Sequence, residues 1–316
     1  MKNHKQIIFI VGPTGVGKSA VAMALAKKID GEIISADSMQ LYRGMNIGTA
    51  KILPEEQRGI THHLLDIASI DTPMDVAQYR QEAMKAINNI LARHKTPIVV
   101  GGSGLYVRSL TDGLFEGPAC NPELRQKLNQ LAEEKGNEAL LNELKKVDPK
   151  TAQTIDPHNR RRLIRALEVY EAEKKPLSEL KTEWQKENQE MQGTPFRLFG
   201  LTLPRELLYQ RLNQRVDVMF EQGLVDETKA LLFQGLKENQ VALQAIGYKE
   251  VVAYLDGKIN LAQCRDEVKK ATRHLAKRQW TWFNRDPRVE WVELSPHDSI
   301  EKITQILYTK IEKSVA

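Results

Sequence analysis

The chain has 316 residues, 41% of them hydrophobic and 28% charged, with a net charge of +5. That size suits one large domain or two smaller ones with ample apolar material for a core. No run approaches the roughly eighteen apolar residues of a spanning helix, which excludes a membrane-spanning segment of that kind. The two cysteines, Cys120 and Cys264, support neither a disulfide framework nor a cysteine-based zinc site, and fit a reducing cytoplasm.

The opening MKNHKQIIFIVG pairs a basic start with a short apolar run and no small-residue cleavage site. It reads as a strand and not as a signal peptide. IIFIVG (7–12) runs into GPTGVGKS (12–19), the pattern G-x-x-x-x-G-K-S/T, and KSAVAMALAKKI (18–29) follows at helical spacing. Strand, loop and helix in this order let successive backbone N–H groups cradle a phosphate at the positive end of a helix. Gly12, Pro13, Thr14, Gly15, Val16, Gly17, Lys18 and Ser19 are therefore the expected phosphate site, with Lys18 supplying a full positive charge and Ser19 a ligand for Mg2+. A bare glycine turn before a helix would not need Lys-Ser at its end.

GEIISADSMQLY predicts a second strand over 32–36 that ends at Asp37-Ser38, VAQYRQEAMKAINNILARH a helix over 76–94, and PIVVGG a third strand over 97–102, followed by a helix-like stretch. The alternation predicts a parallel sheet of P-loop NTPase-like type with helices on both faces. In such sheets ligands bind outside the carboxyl ends of the strands, which gathers the glycine loop, Asp37-Ser38 and Gly101-Gly102-Ser103 around one site. His62 and His63 show no metal-ligand spacing, since neighbours on a strand point to opposite faces.

Residues 118–195 read as an all-helical insertion that ends in a polar connector over 185–195. The catalytic core is then 1–117 with 196–316. Strand character returns at FRLFGLTL (196–203), a helix follows over 204–223, and the chain closes with a strand at 289–294 and an amphipathic helix. Two basic clusters stand out. Residues 265–288 carry eight basic against three acidic side chains, and HNRRRLIRAL carries Arg160, Arg161, Arg162 and Arg165. Such clusters mark either a polyanion contact or a solvated helix face.

Hydrolysis of a nucleotide is poorly supported. There is no N-K-x-D for guanine, and the third strand ends in glycines where an ATPase places its magnesium aspartate. Asp37, at a strand end facing the loop, instead suggests group transfer to an acceptor with Asp37 as base; the plainer reading is a cap or turn residue. Arg211 and Arg215 share one helical face and are candidates to complete an anion clamp.

The blocks ISADSMQLYRGMNIGTAK, PIVVGGSGLY, RRLIRALEV, AIGYKE and ATRHLAKRQWTWF, after G-P-T-x-x-G-K-S, resemble the tRNA dimethylallyltransferase family over nearly the whole chain. The resemblance implies that the loop holds dimethylallyl diphosphate. It implies transfer of the five-carbon group to the exocyclic amine of the adenine just 3′ of the anticodon, in tRNAs reading codons that begin with U, with Mg2+. It assigns Asp37 as base, with Thr14 and Arg215 at the departing diphosphate and Arg211 as second choice to Arg215. It implies tRNA contacts at Asp37, Ser38, Met39, Gln40, Ser103, Arg161, Arg162, Arg165, Gln244, Gly247, Tyr248, Lys249, Arg273, Lys277 and Arg278. Departures are few. GVGKS stands for A-S-G-K-S/T, Gln244 and Lys249 stand where some members have arginine, and no Cys/His set follows Cys264, which points to a bacterial-type enzyme; no dimerisation signal is visible, and a monomer suffices. Trp280, Trp282 and Phe283 read as packing in preference to base stacking. The alternatives are a P-loop kinase of a small nucleoside or metabolite and a nucleotide-gated RNA-binding switch.

Overall fold

The computed structural model describes residues 6–115, 117–187 and 194–313. The basic start of the chain and most of the polar connector at 185–195 lie outside these residues. The backbone forms two compact units, Met1–Thr111 with Met191–Ala316, and Asp112–Glu190. The division falls at the end of the helix Gly104–Thr111, a few residues ahead of the sequence boundaries 118 and 195.

The first unit carries a six-stranded, wholly parallel sheet. Its strands are β1 (Ile7–Val11), β2 (Gly31–Ala36), β3 (His62–His63), β4 (Thr96–Gly101), β5 (Phe196–Thr202) and β6 (Val289–Glu293), in the spatial order β3-β2-β4-β1-β5-β6. Its helices are α1 (Lys18–Ile29), α2 (Val76–Ala92) and α3 (Gly104–Thr111). After the second unit, whose helices are α4 (Pro122–Lys135), α5 (Asn137–Val147), α6 (Pro149–Thr154), α7 (Arg160–Glu173) and α8 (Leu177–Glu187), the first unit resumes. It then adds α9 (Arg205–Glu221), α10 (Leu224–Phe233), α11 (Tyr248–Leu255), α12 (Leu261–Phe283) and α13 (Ile300–Lys313).

Strand periodicity decides which helix covers which face. Ile8 and Ile10 of β1 pack with Val21 and Leu25 of α1, Leu212 of α9 and Leu307 of α13. Ile7, Phe9 and Val11 point the other way, onto Tyr79 and Ile87 of α2 and Tyr106 and Leu110 of α3. Strands β1, β2 and β4 are buried along their whole length, as strands covered on both faces must be.

From β1 the chain passes beyond β4 to β2, whereas from β4 it passes to the other side of β1, so the winding reverses at β1. The carboxyl ends there are level: Val11 pairs with Gly101, and Gly101 with Ala36. The glycine loop, the Gly102-Ser103 turn and Asp37 therefore leave the sheet side by side. The approach is tight enough that a Cβ on Gly101 would lie 2.1 Å from the Ala36 carbonyl oxygen.

The short edge strand β3 was not legible in the sequence, because two residues carry no period. It forms because Ile33 and Ile34 of β2 offer backbone partners to His62 and His63. Beneath it, the buried carboxylate of Glu32 accepts from Arg93 Nη1 at 2.5 Å and Nη2 at 2.7 Å and sits 2.8 Å from His63 Nε2. The Arg93 hydrogen bonds hold the Glu32 carboxyl down at about 2.

In the second unit, helices α4–α8 enclose their own core around Leu140, Leu144, Leu163 and Val169. Its buried Glu168 accepts from Arg125 Nε and Nη2, both at 2.9 Å, from Arg165 Nη1 at 2.7 Å and from the Asn121 N–H at 2.7 Å.

Gly101→Ala forces β4 away from β2 at the level of the site. Urea unfolding is expected to show a loss of more than about 3 kcal/mol, since backbone cannot yield as a flexible side chain would.

Candidate active site at the carboxyl end of the sheet

The phosphate loop has the geometry that its sequence demands. Gly12 takes φ 129°, a backbone conformation that favours glycine, and a Cβ there would also strike the Leu201 carbonyl. Val16 faces the core, while Gly17 caps α1 and Ser19 lies exposed in its first turn. Among the described residues, the N–H groups of Gly15, Val16, Gly17 and Lys18 have no protein acceptor, so the nest is open to an anion. Lys18 folds back over the loop and donates to the carbonyls of Gly12 at 3.0 Å and Pro13 at 2.7 Å. Burial pushes its ammonium down to about 7, against the pull of Asp37 upward and with a smaller downward push from Arg215.

Arg215, on α9, donates from Nη1 to Thr14 Oγ1 at 3.2 Å, whereas Arg211, one turn earlier, is exposed to solvent. Burial lowers the Arg215 pKa and the nearby Asp37 charge raises it. The loop thus has two cations and an open row of amides on one side, with a carboxylate in electrostatic reach of both cations.

That carboxylate is placed by a pinned loop. Asp37 Oδ1 accepts from the Met39 N–H at 2.9 Å, and the Ser38 N–H donates to Ser103 Oγ at 3.1 Å, tying the end of β2 to the end of β4. Gln40 turns inward, between Ser35 Oγ at 3.1 Å and the Thr49 carbonyl at 3.2 Å. Further on, Glu227 of α10 accepts from the N–H groups of Asn46 at 3.2 Å, Ile47 at 2.9 Å and Gly48 at 3.3 Å. It also accepts from the Tyr248 hydroxyl at 2.6 Å. Lys51 buries its ammonium against the Tyr42 carbonyl at 2.7 Å and Asp66 at 2.5 Å.

The model of the IPP transferase family matches residues 40–286. The chain belongs to the IPP transferase family. The tRNA dimethylallyltransferase of Carboxydothermus hydrogenoformans is 50% identical to it over 307 residues, covering 97% of each chain. That of Geobacillus thermodenitrificans is 46% identical, covering 96% of this chain and 95% of its own. Among solved structures, the tRNA isopentenylpyrophosphate transferase of Bacillus halodurans matches with a TM-score of 0.70 at 39% identity, covering 98% of this chain and 97% of its own. A eukaryotic dimethylallyltransferase acting on tRNA matches with a TM-score of 0.77 at 29% identity, covering 98% of this chain and 80% of its own. None of these names favours the small-molecule kinase reading.

The residues that the sequence nominated for RNA contact differ in exposure. Arg161, Arg162, Gln244, Lys249, Lys277 and Arg278 are exposed. Arg165 is half-buried and Tyr248 buried, each with protein partners. Arg165 neutralises Glu168 and donates to the Pro118 carbonyl at 2.9 Å. Tyr248 is fully buried and holds the loop at Gly48 through its hydroxyl, and Gly247 beside it is buried as well. Arg273 is half-buried, with Nη1 2.6 Å from Asn213 Oδ1. Phe283 and Trp282 pack in the core, and Trp280 is 43% exposed.

Sequence reasoning missed Glu227 and Gln279. Gln279 of α12 accepts the Thr14 N–H at 2.7 Å. The signal for Gln279 was a polar residue on the buried stripe Cys264, Val268, Ala276, Phe283 of α12. No local pattern distinguishes Glu227 from a surface acid.

Two outcomes are expected. Above about pH 7 the free loop holds Lys18 neutral, so a diphosphate must bring in a proton to charge it. Calorimetric titration with inorganic diphosphate should therefore lose up to about tenfold in affinity per pH unit above about 7, relative to Lys18→Arg, which stays charged. Arg165→Ala should cost the helical unit about 1–3 kcal/mol by leaving Glu168 short of a partner, whereas Arg161→Ala leaves thermal unfolding unchanged.

Proposed function

We propose that this chain transfers the dimethylallyl group of dimethylallyl diphosphate to the exocyclic N6 amine of the adenine 3′-adjacent to the anticodon, in tRNAs reading codons that begin with U. The observation that carries the reading is the pairing of an open anion nest, backed by Lys18 and Arg215, with the carboxylate of Asp37 on its own pinned loop. A kinase needs the same nest, but the close relatives carry the prenyltransferase name.

In the reaction, the adenine N6 lone pair forms a bond to C1 of the dimethylallyl group as the C1–O bond breaks and its electron pair leaves on the diphosphate. One N6 proton passes to Asp37. The amine is a poor nucleophile, because its lone pair is delocalised into the ring, so proton removal in the transition state speeds it by about a hundred- to ten-thousandfold. The free amides of Gly15 to Lys18, the Lys18 ammonium and the Thr14–Arg215 pair stabilise charge where it grows, on the departing oxygens. Engagement of the diphosphate draws Lys18 away from the Gly12 and Pro13 carbonyls, which hold it in the free loop.

Mg2+ fits this site as a partner of the substrate. Among the described residues no three His, Cys, Asp or Glu side chains lie together as a metal cluster. The exposed Ser19 hydroxyl has no protein partner among them, and Mg2+ typically takes one or two protein ligands besides phosphate oxygens. When bound, the ion offsets negative charge on the diphosphate.

The exposed Arg161 and Arg162 on α7 suit RNA phosphates, and so, in the other unit, do the exposed Lys277 and Arg278 on α12; the single-stranded bases of an anticodon loop leave the stack cheaply. We place the enzyme in the cytoplasm, acting as a monomer.

The decisive assay is transfer of label from labelled dimethylallyl diphosphate into tRNA bearing adenine after an anticodon that ends in adenine. Phosphorylation of a small acceptor by ATP, without such transfer, would overturn the reading. Asp37→Asn keeps the acceptor oxygen for the Met39 N–H and should lower kcat at least about a hundredfold while tRNA affinity holds. An unchanged kcat would remove Asp37 as the base.

A further inference from the structure

Helix α12 crosses the carboxyl end of the sheet and presents one polar side chain among apolar ones on its buried face, Gln279. A carboxamide that is only 9% exposed needs a reason, because an unpaired amide group in a core costs free energy. Half of the reason is visible. Its Oε1 accepts the Thr14 N–H at 2.7 Å, and since a backbone N–H can only donate, the oxygen must be the atom on that side. The amide nitrogen is thereby turned to the other side, against Gly102. A Cβ on Gly102 would lie 2.2 Å from Nε2, so the absent side chain is what admits the carboxamide. Among the described residues, Nε2 donates to nothing.

Thr14 belongs to the phosphate loop and carries the hydroxyl that Arg215 holds. Gly102 precedes Ser103, which ties down the Asp37 loop. Gln279 therefore stands where the anion side and the acceptor side of the centre meet. Its Nε2 brings a donor with no protein acceptor among the described residues to this junction, beside Gly102.

We propose that Gln279 is a further diphosphate-binding and positioning residue: its carbonyl fixes Thr14 for Arg215, and its Nε2–H donates to an oxygen of the bound diphosphate. The proposal rests on the diphosphate reading above. The bond differs in kind from those of Lys18 and Arg215, because it is neutral and directional and orients the departing group without adding charge.

The test compares the wild type with Gln279→Met and Gln279→Glu, using inorganic diphosphate in calorimetry and labelled transfer for KM and kcat. Gln279→Met keeps volume but loses both hydrogen bonds. It should weaken diphosphate binding by about ten- to a hundredfold and raise the KM for dimethylallyl diphosphate, with the KM for tRNA unchanged. Gln279→Glu still accepts the Thr14 N–H but lacks a donor when ionised. Its binding deficit relative to wild type should shrink as pH falls from about 8 to about 5.5, where the protonated carboxyl supplies an O–H. A side chain that only packs predicts wild-type diphosphate affinity in Gln279→Met, which keeps the volume and adds no charge. Wild-type binding by both variants, or a pH-independent deficit in Gln279→Glu, overturns the proposal. Failure of the wild type itself to transfer label would instead count against the function.

Discussion

The site depends on one backbone contact, the level ending of β2, β4 and β1 at Ala36, Gly101 and Val11. Parallel pairing in this register brings three segments out of the sheet at one level, each about 5 Å from the next across β4. A side chain at Gly101 would separate them. Everything placed beyond that line, from the phosphate loop to Asp37 and Ser103, inherits its spacing from the sheet and not from the loops themselves.

Electrostatics then divides the space beyond the strand ends. Lys18 and Arg215 are both held in surroundings that disfavour their charge, and Asp37 favours it. Such a site is poised for an anion, since an incoming diphosphate replaces lost hydration for both cations at once. The acceptor side is held by hydrogen bonds. Glu227 takes up three successive N–H groups of residues 46–48, and Tyr248 braces the same carboxylate from within the core. The two sides are built from opposite resources, free amides in the phosphate loop and satisfied amides over residues 46–48.

The sequence was most legible where the information is local. Apolar runs marked β1, β4 and β5 to within a residue, helical spacing marked α1, and the glycine loop announced an anion site because a nest is made by consecutive residues. Asp37 was legible because it follows a strand directly. What escaped were features made by contacts across long stretches of chain. Two-residue β3 exists only because β2 offers it an edge. Arg165 looked like one of a row of surface arginines until Glu168 and Pro118 closed around it. Tyr248 looked like part of an RNA-facing motif, yet its ring belongs to the core, and Gln279 meets Thr14 from 265 residues away. A side chain's partner, unlike its period, is not written beside it.

Whether the loop holds a leaving group or a nucleotide is read most directly by product inhibition of the transfer reaction. Inorganic diphosphate should inhibit competitively against dimethylallyl diphosphate and lose that inhibition in Lys18→Met, while ATP neither serves as the donor nor is required. Inhibition that is noncompetitive with dimethylallyl diphosphate, or a transfer that proceeds only with ATP, would contradict the leaving-group reading.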